Sequence, residues 1–163
     1  MSLTTRRNFL KYGFLSSSVL VMSGCELFSV VTQKETIELV QRDLFPKAHE
    51  LGINTFVYMS IILNHSRISD EDKEFIKNGV KWLNEEAVEK YNTTYTKLTS
   101  TQRQNILKII SKVRWGDSWI NEMLTFALEA TFSDSVYGVS KNESGWKWLE
   151  FEGGHPRPKE ALL

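Results

Sequence analysis

The chain has a single cysteine, Cys25, among 163 residues. An intrachain disulfide, a Cys-rich zinc site and a C-x-x-C-H haem attachment are thereby excluded, and the fold must rest on its core alone. Neither sign of charge dominates, since 20 basic residues meet 20 acidic ones. That balance gives no electrostatic footprint for nucleic acid or a polyanionic substrate. No apolar run reaches the roughly 20 residues that a membrane span needs. Catalytic signatures are missing as well. No serine sits in a G-x-S-x-G elbow, and there is no phosphate loop, no G-x-G-x-x-G and no H-E-x-x-H around His49, His65 or His155. As an enzyme acting alone the chain is a poor candidate.

What is present begins at the N-terminus. Residues 1–13 are polar and basic and contain Arg6-Arg7, then Phe9, Leu10 and Lys11. Tyr12 to Gly24 form a weakly apolar stretch interrupted by Ser16, Ser17 and Ser18. This is the charged n-region and short h-region of a signal peptide. The arginine pair followed by Phe9, Leu10 and Lys11 resembles a twin-arginine signal, the mark of a bacterial route that exports folded proteins to the periplasm. Ser23-Gly24-Cys25 resembles a lipoprotein processing box, which predicts cleavage after Gly24 and a lipid on Cys25. The plainer alternative is an ordinary signal peptide, with Cys25 a small buried hydrophobe. Removing residues 1–24 leaves 17 basic against 20 acidic residues, a formal charge of −3. A lipid on Cys25 would hold a body starting at Thr32 within about 25 Å of the bilayer.

Periodicity predicts an all-α body over residues 25–131, a small bundle of about five helices. Thr32 to Phe45 places Ile37, Val40 and Leu44 on one face and is ended by Pro46. Asn54 to His65 is apolar nearly all round, and its length favours a central helix over a buried strand. Ser69 to Tyr91 opens with a cap and three acids, Asp70, Glu71 and Asp72, suited to a helix N-terminus. Its inner stripe is Ile76, Val80, Leu83 and Ala87. Thr99 to Val113 begins with a capping box (Thr99, Gln102) and buries Ile106, Ile109, Ile110 and Val113. Asp117 is the expected cap of the fifth helix, with Ile120, Met123, Leu124 and Ala127 at helical spacing. Trp115 and Trp119 are expected in the core. Glu85, Glu86 and Glu89 cluster on the third helix; a solvated face, with Glu86 paired to Lys90, accounts for them better than a metal.

From Thr131 the helical pattern stops. Residues 132–163 hold two of the three prolines and two of the five tryptophans. Disordered segments avoid aromatics, yet this tail carries Phe132, Tyr137, Trp146, Trp148 and Phe151. Either it packs back on its own bundle or it docks on another protein. Asp134 is placed to cap the turn toward Tyr137-Gly138.

Phe132-Ser133-Asp134-Ser135-Val136-Tyr137-Gly138, followed by Gly145-Trp146-Lys147, resembles the signature of the gluconate 2-dehydrogenase subunit 3 family. Ser135 stands where the family has proline, and Val139-Ser140 where it has Gly-Asn. The resemblance implies a cofactor-free small subunit of a periplasmic, membrane-associated dehydrogenase. Its large partner would be a glucose–methanol–choline-type flavoprotein holding FAD, often joined by a cytochrome c subunit with haem c. It also implies partner docking through Phe132, Asp134, Tyr137, Gly138, Gly145 and Trp146. The leader would then carry the partner: a flavoprotein that folds around FAD in the cytoplasm crosses bound to a subunit the twin-arginine translocase accepts. The rival reading is a stand-alone helical periplasmic lipoprotein with a binding or scaffolding role.

Overall fold

In the computed structural model, residues 33–160 are described. The leader motif (Arg6, Arg7, Phe9, Leu10, Lys11) and Cys25 lie outside the described residues. The chain divides after Lys34, and the helical body belongs to the unit from Glu35 onward. Among the described residues there are seven α-helices and no strand. They are α1 (33–44), α2 (Pro46–Glu50), α3 (Thr55–Asn64), α4 (Asp70–Tyr91), α5 (Ser100–Ile110), α6 (Arg114–Phe132) and α7 (Ser144–Trp148). The all-α class expected from periodicity is the class observed.

Local chemistry sets most of the helix ends. Phe45 leaves the helical region (φ −138°, ψ 76°), which the residue before a proline disfavours, so α1 stops at 44; Pro46 then opens α2 near its first position, where no N–H is needed. Asn54 caps α3 by accepting from the Val57 N–H at 3.1 Å. Ser69 does the same for α4 from Asp72 at 3.1 Å, with Asp70, Glu71 and Asp72 in the first turn. Thr99 and Gln102 form both bonds of the capping box on α5. Asn92 ends α4 in the left-handed region at φ 54°.

Two boundaries differ from the sequence expectation. Helix α5, the fourth of the helices expected from the sequence, ends at Ile110, so Val113 is extended and 45% exposed instead of buried, while Leu107 takes a core position. Asp117 lies inside the first turn of α6, its N–H already donating to the Val113 carbonyl at 3.0 Å. The cause is Gly116. A Cβ there would stand 2.2 Å from the Ile110 carbonyl oxygen, so its absence lets α6 start directly against the end of α5. The Glu86–Lys90 pair is replaced by Lys81 and Glu85 at 3.8 Å.

The central helix is α6, which packs against α2, α3, α4, α5 and α7. The apolar α3 was expected in that place. Only its Tyr58 and Met59 are buried, because α3 leans on α6 from one side and leaves Val57 exposed. Trp119 sits at the middle of the core, fully buried, with its indole N–H donating to the Ile76 carbonyl at 3.2 Å. Its ring lies over Gly79, where an added Cβ would meet the indole at 2.1 Å. Trp115 is only partly buried and meets Trp82 edge-on at 5.1 Å. A buried ionic cluster ties α1 to α5: Arg103 grips both carboxylate oxygens of Asp43, and the Tyr95 hydroxyl donates to Asp43 Oδ2 at 2.9 Å. No helix among the described residues is long and apolar enough to cross a membrane.

Candidate partner interface

The segment after α6 is folded onto the bundle by a sequence of specific contacts. Asp134 Oδ1 accepts from the Val136 N–H at 3.0 Å and so opens a 3₁₀ turn, Ser135–Tyr137. Gly138 closes that turn at φ +70°, a conformation a side chain would strain. Val139 then enters the core at 1% exposure, and its carbonyl accepts from the Asn54 N–H at 3.0 Å. Val139 and Ser140, which stand where the motif has Gly-Asn, are thus both buried. Ser144 ties the start of α7 to the α2–α3 connection by donating to the Leu51 carbonyl at 2.9 Å.

Helix α7 brings Gly145 against the last turn of α6 and turns its two tryptophans in different directions. Trp146 faces inward and donates from its indole N–H to the Phe132 carbonyl at 2.7 Å. The Arg157 guanidinium covers its ring at 4.2 Å, and Phe151 meets it edge-on at 5.5 Å. Arg157 is itself fixed by Asp134 at 3.2 Å and Glu143 at 2.8 Å. This latch joins three parts of the tail.

Trp148 faces outward. Its ring stacks on Phe132 at 6.3 Å with an interplanar angle of 9°, lies 6.3 Å from Phe45, and carries the Lys47 ammonium at 5.7 Å. It remains 43% exposed, beside Leu149 at 53% and Phe151 at 56%. Large exposed apolar side chains of this kind suit an interaction surface, and tryptophan is among the residues enriched where binding energy concentrates.

The expected docking residues therefore divide. Phe132, Asp134 and Trp146 are brought together around the latch, whereas Gly145 sits beneath it against Thr131. Tyr137 and Gly138 lie apart from it, with Tyr137 partly buried against the core. The outward surface is made by Trp148, Leu149 and Phe151, with Phe45 and Lys47 from α2 and its approach. Phe45 and Lys47 flank Pro46, and nothing in their local pattern ties them to a tail a hundred residues later. Arg157 was equally silent in the sequence. Among the described residues no group of three His, Cys, Asp or Glu side chains is arranged to hold a metal ion.

A family model, Gluconate 2-dehydrogenase subunit 3, matches residues 32–154. The chain belongs to the gluconate 2-dehydrogenase subunit 3 family. Comparison with curated proteins and with solved structures gave no significant match. The match covers all seven helices and the outward aromatic surface, and it stops short of Arg157. Membership in a family of third subunits implies a place in a gluconate dehydrogenase complex.

Proposed function

We propose that this chain is the cofactor-free small subunit of a periplasmic, membrane-associated, FAD-dependent gluconate 2-dehydrogenase-like complex. In this reading it escorts a glucose–methanol–choline-type flavoprotein through twin-arginine export, and a lipid on Cys25 holds the complex at the membrane. A cytochrome c subunit carrying haem c would take the electrons. The observation that carries the reading is the exposed Trp148-Leu149-Phe151 surface on a chain of this family. The body keeps an apolar face open to water, and that face suits a protein partner. The leader supports the escort role, because a flavoprotein folded around FAD needs a route that accepts folded cargo.

Export tests the proposal. Changing Arg6 and Arg7 to lysine should keep both this chain and the flavoprotein in the cytoplasm. A flavoprotein still found in the periplasm by fractionation, with this subunit left behind, would refute the escort role.

A further inference from the structure

Past α7 the chain returns along Trp146 without helix or strand. Phe151 donates its N–H to the Trp146 carbonyl at 2.9 Å, and its ring meets the indole edge-on. Among the described residues beyond Phe151, only Arg157 makes a hydrogen bond, an ion pair or a ring contact. The strap of residues 152–157 therefore hangs on one side chain. Gly153 fills the narrow space left to it: a Cβ there would stand 2.3 Å from the Trp146 ring and 1.9 Å from the Arg157 guanidinium.

The hold of Arg157 is of a kind that fixes a position. Its side chain is 24% exposed and that of Asp134 18%, so their pairing escapes much of the solvent screening that makes open surface pairs weak. Asp134 Oδ2 takes the guanidinium while Oδ1 caps the 3₁₀ turn, which ties the strap to a carboxylate already set by backbone. The indole face beneath the guanidinium adds a cation–π contact. Chain ends fray unless tied down. With Arg157 released, fraying would reach Phe151, whose 56% exposed ring belongs to the outward surface. A side chain that must be ordered at the moment of binding costs affinity, and one already held does not.

We infer that Arg157 is a positioning residue for partner binding: it holds the strap on Trp146 and so keeps Phe151 set for the flavoprotein. The inference rests on the partner reading above and adds a residue beyond the family match, which ends at residue 154. Amide hydrogen exchange and affinity for the flavoprotein, both measured on the purified chain, test it. Arg157→Gln should speed exchange of the Phe151 amide, leave the amides of α6 unchanged, and weaken binding about three- to tenfold. Arg157→Lys keeps the charge and should recover part of both effects. Gly153→Ala forces the strap off the ring with Arg157 intact and should reproduce both, which separates positioning from a direct touch of Arg157 on the partner; it also decides the matter if Arg157→Gln fails to fold. In a Phe151→Ala background the further loss from Arg157→Gln should vanish, because the ring it positions is gone. Wild-type exchange at Phe151 or wild-type affinity in folded Arg157→Gln overturns the positioning role and leaves the partner reading standing. A loss that persists in full without the Phe151 ring overturns it as well. A wild-type chain that binds no flavoprotein overturns both.

Discussion

Gly145 lies so close to Thr131 that a Cβ on it would stand 1.8 Å from the Thr131 carbonyl oxygen. The obstacle is backbone of α6, which has no rotamer by which to move aside. The glycine of the Gly-Trp-Lys motif is therefore what lets α7 close on the last turn of the central helix. Gly145→Ala should push α7 outward and cost about 1–3 kcal/mol, the usual range for overpacking. A thermal melt followed by circular dichroism checks it. A variant melting with the wild type would mean that α7 contributes little to the stability of the bundle.

The two tryptophans of α7 should fail differently when truncated. Trp146→Ala loses the bond to the Phe132 carbonyl and the ring on which Arg157 rests, so its loss is one of stability, about 3 kcal/mol. Trp148→Ala removes an exposed ring and should leave the melt nearly unchanged. Its loss is one of partner binding, about 2–4 kcal/mol, as for a tryptophan at the centre of an interface. Melts and binding isotherms on the two variants separate the roles. A Trp148→Ala variant that binds the flavoprotein like the wild type would remove the outward surface from the interface.

The helical body was legible in the sequence because each helix carries its own signals. Caps at Ser69 and Thr99, and a stripe such as Ile76, Val80, Leu83 and Ala87, are local facts, and all are present in the fold. The centre of the bundle was less legible. Hydrophobicity pointed to α3, but centrality is decided by how many neighbours a helix meets, and Gly79 and Gly116 give α6 its close approaches. The tail was the least legible part. Its contacts run from Ser144 to Leu51 and from Trp148 to Phe45, and such long-range pairings leave no period. The motif does not tell the tryptophan that turns inward from the one that turns outward.

Anchoring can be separated from export. Cys25→Ser leaves the arginine pair intact, so the complex should still reach the periplasm while shifting from the membrane fraction to the soluble one. Several acyl chains, each contributing about 0.8 kcal/mol per buried CH₂, give the stable attachment that one chain does not. Mass spectrometry of the mature wild-type N-terminus checks the chemistry directly. An unmodified first residue other than Cys25 would refute the anchor.

Two buried phenols set an alkaline limit on the fold. Tyr58 is pushed up to about 12, first by burial and then by the charge and hydrogen bond of Glu129. Tyr95, fully buried with its hydroxyl 2.9 Å from Asp43, is raised further by burial and by that carboxylate. In the unfolded chain both ionise near the ordinary value of 10.0. The sign follows from proton release: above pH 10 the unfolded chain loses these protons while the folded chain keeps them, so the unfolded state is favoured. Stability from the neutral phenols is fully present below about pH 10. It should fall as the pH rises through 12, with Tyr95 extending the loss beyond. Thermal melts across this range, read beside tyrosinate absorbance, check the expectation. Tyr58→Phe should lessen the decline between pH 10 and 12, because it removes one of the two protons that the unfolded chain releases there and the folded chain keeps. A wild-type chain whose buried tyrosines titrate near 10 without a drop in melting temperature would show that neither phenol is held neutral by the fold.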